Sequence, residues 1–332
     1  EKQKDLLTRA LEIFEKYYGK DHPQTGITLG GLGCAWGHIG DYEKQKDLLT
    51  QALEIFEKHY GKDHPSIGAT LDNLGNAWGS LGDYEKQKDL LTRALAIQEK
   101  HYGKDHPETG ITLGNLGVAW GCLGDYEKQK DLFARALEIL EKHYGKDHPS
   151  TGITLTNLGH AWGSLGDSEK QKDFLTQALA IQEKHYGKDH PSTGATLGNL
   201  GNAWGSFGDY EKQKDLLTRA LEIFEKHYGK NHPQTATILC GLGCAWGHIG
   251  DYEKSKDLLT RALEINEKHY GKDHPETGTT LINLGNAWGF LGDYEKQQEL
   301  LTRALEIFHN SYGEEHPYTK MITHNLNISL EF

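Results

Sequence analysis

Apolar and polar residues follow a helical spacing in two kinds of segment, and both kinds recur along the chain every 42 residues. In the longer kind, apolar residues lie three and four positions apart while charged residues occupy the opposite side, which is the pattern of an amphipathic helix. Its apolar positions in one copy are Leu48, Leu49, Ala52, Leu53, Ile55 and Phe56. Asp41 supplies an N-cap oxygen and Gly61 a stop signal, so we predict a helix between them. Asp89 and Arg93 are expected to form an ion pair one turn apart.

The second kind of segment is short and rich in glycine. We predict that it forms a helix that starts just after Pro65 and runs to about Ser80, with Leu74 and Trp78 on its core face. Each interior glycine costs a helix about 1 kcal/mol relative to alanine, so this segment is not expected to be helical alone. We predict that close packing against neighbouring helices holds it in a helix.

The positions of tryptophan and proline show that these two kinds of segment form one repeating unit. All tryptophans and all prolines of the chain occupy single positions of the 42-residue period. A fixed period of this length is typical of a solenoid, in which each unit buries its apolar face against its neighbours. We therefore predict an all-α fold, a single solenoid over residues 1–332. Its roughly eight repeats of 42 residues begin near residues 1, 43, 85, 127, 169, 211, 253 and 295.

The repeat resembles a known helical family. The sequence Leu71-x2-Leu74-Gly75-x2-Trp78, followed by Gly82, Tyr84, Leu91 and Ala94, is similar to the tetratricopeptide repeat. The longer period and the turn Gly103-Lys-Asp-His-Pro107 resemble the repeats of kinesin light chains. This resemblance implies a right-handed superhelix of paired helices, whose first helices line an inner groove that binds peptides. Every repeat is expected to depart from the family at the Gln87 position, where the family usually has a small residue.

Three positions of the glycine-rich segment differ most among these near-identical repeats. They are spaced four residues apart, so they form a stripe on one helix face. Row 1 contains Gly30, Asp72, Gly114, Thr156, Gly198, Cys240 and Ile282; row 2 contains Cys34, Asn76, Val118, His160, Asn202, Cys244 and Asn286; row 3 contains His38, Ser80, Cys122, Ser164, Ser206, His248 and Phe290. In a tetratricopeptide superhelix this stripe would line the groove.

Two interpretations of the stripe remain open. Either it sets ligand specificity, or solvent-facing positions drift freely after duplication of the repeats. The near-constancy of the charged face of the longer helices favours the first interpretation, because that face is also expected to be exposed.

The candidate ligand-binding residues are amides and imidazoles on or beside the stripe. They are His38, Asn73, Asn76, Asn115, Asn157, His160, Asn199, Asn202, His248, Asn283 and Asn286. An asparagine amide can both donate to and accept from an extended peptide backbone. Alternatively, the asparagines bridge adjacent helices. Apart from Lys320, the glycine-rich segments contain no Lys or Arg, so a carboxylate-clamping mode lacks its counter-charge.

Composition narrows the partner classes. The formal net charge of −12 disfavours nucleic acid, and no run approaches the roughly 18 apolar residues of a membrane span. We expect a soluble, cytoplasmic protein with reduced thiols, because its four cysteines are few and scattered.

Catalytic chemistry has no support in the sequence. The chain has no recognisable catalytic or phosphate-binding motif, and the recurring Asp-His-Pro histidines are assigned to the turn. Cys240, Cys244 and His248 are spaced four residues apart, but the first and last lie about 12 Å apart along a helix axis, too far for one tetrahedral site. We predict no enzyme activity, no metal and no cofactor.

The leading hypothesis is therefore a non-enzymatic scaffold that binds a peptide or partner segment in the groove. The rival is a structural array that stacks end to end with other copies of itself. The chain begins within a repeat and neither end resembles a cap, so we expect a fragment of a longer array with some capacity for self-association.

Overall fold

The computed structural model describes residues 2–315, 319–323 and 326, and this part of the chain is built from helices. The helices are α1 (Lys2–Tyr18), α2 (Pro23–Gly37), α3 (Tyr42–Tyr60), α4 (Pro65–Ser80), α5 (Tyr84–Tyr102), α6 (Pro107–Cys122), α7 (Tyr126–Tyr144), α8 (Pro149–Ser164), α9 (Ser168–Tyr186), α10 (Pro191–Ser206), α11 (Tyr210–His227), α12 (Pro233–Ile249), α13 (Tyr252–Tyr270), α14 (Pro275–Phe290) and α15 (Tyr294–Tyr312). Residues 319–323 are also helical. The predicted all-α solenoid of helix pairs is confirmed.

The chain divides into two compact units. Unit 1 spans Glu1–Asp167 with helices α1 to α8, and unit 2 spans Ser168–Phe332 with α9 to α15. Within each unit every helix contacts the next one along the chain, and successive even-numbered helices also touch. None of the helices in the described ranges combines the length and apolarity needed to cross a membrane.

Odd-numbered helices begin and end as the sequence predicts. Asp41 Oδ1 accepts a hydrogen bond from the backbone N–H of Lys44 at 3.1 Å, which satisfies one free donor of the first turn of α3. Gly61 ends the helix with a φ of 77°, which is in the left-handed region that residues other than glycine rarely adopt.

Even-numbered helices begin with a histidine cap followed by proline. His64 Nδ1 accepts from the backbone N–H of Ser66 at 3.2 Å, and Pro65 starts α4. The imidazole also stacks on the Tyr60 ring, with ring centroids 4.4 Å apart. Six further repeats show both the stack and the cap, which gives these histidines the turn role expected of them.

Packing supplies the stability that the glycine-rich helices lack. A Cβ on Gly75 would lie 2.9 Å from Leu91 Cγ, so only glycine allows α4 and α5 to come this close. Leu71 and Leu91 are fully buried at this contact. Burial of a leucine side chain stabilises by about 1.5–3 kcal/mol, which exceeds the cost of a single glycine.

The tryptophans lie at the edge of the core, because they are half-buried and Trp204, Trp246 and Trp288 pack against core clusters. Trp78 is half-buried, and Lys46 Nζ and Lys86 Nζ lie 5.2 Å and 3.9 Å from its ring centroid. The first turns of α3 and α5 flank the end of α4, so they also bring lysines to the indole. Each lysine stabilises by a cation–π interaction of about 0.5–1 kcal/mol at such a partly exposed site.

The predicted Asp89–Arg93 pair is replaced by an ion pair between repeats. Arg93 donates to Glu57 of α3, while Asp89 lies 3.7 Å from Lys88. Lys100 Nζ of α5 likewise donates to Asp63, before α4, at 2.6 Å. Some charged residues of the odd-numbered helices therefore connect repeats, whereas others, such as Lys46 and Glu43, pair within one helix.

Candidate functional site

The structure separates the three variable rows by exposure. Every residue of row 3 is exposed, and row 2 contains exposed and half-buried residues. Row 1 is half-buried or buried throughout. We call rows 2 and 3 the variable face, because only they combine variation between repeats with access to solvent.

Row 1 forms a seam between successive even-numbered helices in several repeats. Asp72 Oδ1 of α4 accepts from Thr112 Oγ1 of α6 at 2.7 Å, and Ile282 is 6% exposed. A Cβ on Gly198 would lie 2.7 Å from Ile238 Cδ1. The next repeat therefore limits side-chain size at Gly198, whereas a Cβ on Gly30 or Gly114 would meet no atom within 4 Å.

The asparagines beside the stripe divide between the two interpretations. Asn115 Nδ2 donates to Asp72 Oδ2 at 3.0 Å, a bridge between helices, and Asn73 Nδ2 donates to the Ala69 carbonyl of its own helix at 3.1 Å. Asn76 also donates to Asp72 Oδ2, at 3.3 Å. Burial raises the pKa of the Asp72 carboxyl, while the donated hydrogen bonds from Thr112 and Asn115 oppose that effect. Each of these three amide nitrogens therefore already donates a hydrogen bond within the protein.

The remaining candidates reach solvent to different degrees. The exposed ones are His38, His160, Asn202 and His248, and the half-buried ones are Asn157, Asn199, Asn283 and Asn286. Asn199 and Asn202 lie three residues apart on α10, so their amides share one face of unit 2. Desolvation by surrounding protein lowers the pKa of His160, even though part of the residue remains exposed.

Aromatic residues of row 3 stack on the first residue of the preceding odd-numbered helix. The His248 ring lies on Tyr210 with centroids 4.3 Å apart, and the Phe290 ring lies on Tyr252 at 4.7 Å. Phe290 nevertheless remains 66% exposed. Unit 2 thus presents an apolar ring on an otherwise polar face.

A cavity of about 280 Å³ opens beside Phe290, between α12, α13 and α14. Its lining consists of Cys244, Gly247, His248, Tyr252, Ser255, Leu259, Asn283, Asn286, Ala287 and Phe290. Three of the predicted site residues, His248, Asn283 and Asn286, are brought together here. We call this cavity the Ser255 pocket.

The Ser255 pocket results from one departure in the repeat. A glutamine fills this space in neighbouring repeats: a Cβ on Gly205 would lie 2.5 Å from Gln213 Oε1, and one on Gly289 would lie 2.6 Å from Gln297 Oε1. A Cβ on Gly247 would instead lie 3.3 Å from Ser255 Oγ. The expectation that every repeat lacks a small residue at the Gln87 position is wrong, because Ser255 occupies that position. Alignment of the repeats with one another reveals the serine at this position.

The electrostatics of the even-numbered helices are nearly neutral. Among α2 to α14 these helices contain no Lys or Arg, and their acidic residues are Asp72, Glu108 and Glu276. Lys320 Nζ pairs with Glu315 at 2.5 Å. The variable face therefore offers hydrogen bonds and apolar contact rather than charge.

The cysteines near this face are poor candidates for metal ligation. Burial raises the pKa of Cys240 to about 12, so its thiol stays protonated at neutral pH, and its Sγ lies 3.4 Å from Thr280 Oγ1. Among the described residues, no group of three or more His, Cys, Asp or Glu side chains is arranged to hold a metal ion.

Models of a known protein family match almost the whole chain. Models of the tetratricopeptide repeat match residues 4–58, 37–100, 80–142, 121–184, 172–226, 206–268, 247–296 and 277–318. The chain belongs to the tetratricopeptide repeat family. No curated protein matches it in sequence.

Solved tetratricopeptide structures share the fold. A Podosopora anserina kinesin light chain with nearly identical TPR-like repeats is 25% identical, with a TM-score of 0.54, over 62% of this chain and 98% of that one. BtubC from P. vanneervenii is 22% identical, with a TM-score of 0.56, over 70% of this chain and 94% of that one. The quorum sensor NprR from B. thuringiensis is 14% identical, with a TM-score of 0.68, over 92% of this chain and 83% of that one. The last two likenesses concern the fold alone.

Proposed function

We propose that this chain is a scaffold that binds an extended, uncharged segment of a partner protein on the variable face. The observation that carries the proposal is that this face is exposed or half-buried, nearly uncharged and variable between repeats. Tetratricopeptide repeats typically serve protein interaction, and the likeness to a kinesin light chain supports the same class of function.

Asn199 and Asn202 are the amides best suited to hold a peptide backbone. Both lie on one face of α10, and Asn202 is exposed. An extended segment has a free donor and a free acceptor at each residue, which a side-chain amide can match. Row 1 contributes by positioning successive even-numbered helices rather than by contact with the segment.

The test uses a peptide selected by the intact chain from a random heptapeptide display library, then synthesised with a fluorescent label. The Asn199→Ala/Asn202→Ala variant should bind it about tenfold more weakly, because each hydrogen bond contributes roughly 0.5–1.5 kcal/mol net. Thr176→Ala/Thr218→Ala is the matched control, since these hydroxyls donate to the backbone of their own odd-numbered helices at 2.8 Å. Equal affinity of the asparagine variant and the wild type would contradict the proposed binding face.

A second candidate, association between copies of the chain, is favoured by the apolar surface of α1. Leu6 is 65% exposed and Ile13 is 53% exposed, whereas Ile55, the copy of Ile13 in the next repeat, is 7% exposed. Such a surface can pack against another helix. Sedimentation velocity at several protein concentrations tests this candidate: mass should rise with concentration in the wild type and stay constant in Ile13→Ser.

A further inference from the structure

The Ser255 pocket occupies space that the neighbouring repeats fill with their own glutamine. Gln213 precedes Ser255 by one repeat and Gln297 follows it by one, and both side chains press against the glycine opposite them. Ser255 is 3% exposed and too short to reach that far. The walls are therefore shaped for an uncharged side chain that this repeat does not supply.

The walls of the pocket combine apolar and hydrogen-bonding surface. Leu259 and the exposed ring of Phe290 provide the apolar part, and Asn283 and Asn286 provide amides on α14. No lining residue is an acid, a lysine or an arginine. A charged side chain would lose its hydration here without gaining a counter-ion, and such burial is unfavourable.

We propose that the Ser255 pocket takes one uncharged side chain with an apolar body and a hydrogen-bonding tip, such as tyrosine or glutamine. This inference rests on the proposed function, because the side chain belongs to the segment bound on the variable face. It goes further by giving that segment a residue class and a position. The apolar body packs on Leu259 and Phe290, and the tip meets the amides of α14.

The experiment compares blocked peptides Gly-Gly-X-Gly-Gly in which X is Tyr, Gln, Glu, Lys or Gly, titrated by saturation-transfer difference NMR. The Tyr and Gln peptides should bind the wild type at least about tenfold more tightly than the Glu, Lys and Gly peptides, a ratio typical of one well-filled pocket. In Ser255→Gln this preference should vanish, because the variant fills the cavity with the residue that neighbouring repeats already contain.

Two variants serve as controls. Gln213→Ser opens the homologous space one repeat earlier and leaves the Ser255 pocket intact, so the preference should persist. Phe290→Ser removes an exposed wall residue and introduces the residue found at Ser80, Ser164 and Ser206, so it should reduce the preference for Tyr even if Ser255→Gln folds poorly. Thermal unfolding of each variant confirms its folding.

The outcomes distinguish this inference from the proposed function. Equal affinities of all five peptides, or an unchanged preference in both Ser255→Gln and Phe290→Ser, would overturn the pocket assignment. The selected heptapeptide could still lose affinity in Asn199→Ala/Asn202→Ala, and the proposed function would then stand without the pocket. Conversely, a preference that is abolished by Ser255→Gln supports the pocket even if the asparagine variant binds the heptapeptide normally.

Discussion

Arg219 Nη2 of α11 donates to Glu183 Oε1 of α9 at 2.8 Å, across 36 residues of sequence. The same pairing joins Arg135 to Glu99 at 2.5 Å and Arg303 to Glu267 at 2.6 Å. Charged side chains of the odd-numbered helices thus connect one repeat to the next, which gives part of the charged surface of these helices a role in the fold.

The Arg219–Glu183 pair should contribute little to stability. Arg219 is 45% exposed, so solvent screens the pair, and we expect a coupling energy of about 0.5 kcal/mol. A double-mutant cycle with Arg219→Met and Glu183→Gln in urea unfolding measures it. The coupling should fall further in 1 M salt; a value above about 2 kcal/mol would show that the pair is much less screened than its exposure indicates.

Two glycine-to-alanine substitutions should change the free energy of unfolding in opposite directions. A Cβ on Gly114 in α6 meets no atom within 4 Å, so Gly114→Ala should stabilise by about 0.5–1 kcal/mol through helix propensity. A Cβ on Gly243 in α12 would lie 2.7 Å from Cγ of the buried Leu259, so Gly243→Ala should destabilise by about 1–3 kcal/mol through overpacking. Denaturant midpoints test both, and stabilisation by Gly243→Ala would contradict the close helix contact.

Replacement of Gln98 by an apolar residue should stabilise the folded protein. Gln98 is 3% exposed and its Oε1 has no hydrogen-bond partner, whereas Phe56 and Leu140 occupy the same position in the adjacent repeats. Gln98→Leu should therefore raise the unfolding free energy by about 1–2 kcal/mol, because an unsatisfied buried carbonyl is lost. Leu140→Gln is the reciprocal control and should destabilise. A loss of stability in Gln98→Leu would show that the amide makes a valuable interaction.

The buried carboxyl of Asp72 should make the stability of unit 1 depend on pH. Burial, the largest cause, raises its pKa above the usual value of 3.8, so the folded state binds a proton more tightly than the unfolded state. This group's contribution to stability is therefore greatest at pH values below 3.8 and decreases as the pH rises through the raised pKa. Many other aspartates titrate in the opposite sense, so the comparison must be with Asp72→Asn.

The unfolding free energy of Asp72→Asn relative to the wild type should increase as the pH rises from about 3 towards neutrality, by the linkage relation. Chemical unfolding at pH steps over this range measures the difference. A difference that is constant with pH would show that the carboxyl titrates normally.

Ligand affinity should depend weakly on salt. The variable face of the described helices contains no lysine or arginine, so binding through amides and apolar contact is little affected by screening. Affinity for the selected heptapeptide should change by less than about threefold between 50 and 200 mM salt, over which range exposed ion pairs weaken. Strong weakening would contradict a neutral binding face.

The sequence by itself determined the helices and the repeat, because caps, stop glycines and apolar spacing are local and are copied every 42 residues. It also located the histidine turns, since His64 acts on a backbone N–H only two residues away. Tertiary structure decided which partners meet across repeats. In the folded chain Arg93 pairs with Glu57 rather than with Asp89, and a lysine lies over the Trp78 ring. Asn115 donates a hydrogen bond to Asp72 of the preceding repeat.

The Ser255 pocket also depends on tertiary structure, although its cause is one letter of sequence. The substitution is visible in the repeat, but its consequence depends on how near Gly247, Leu259 and Asn286 lie to the shortened side chain. Helix spacing is set by packing between elements that are distant in sequence, and local patterns contain no such distances.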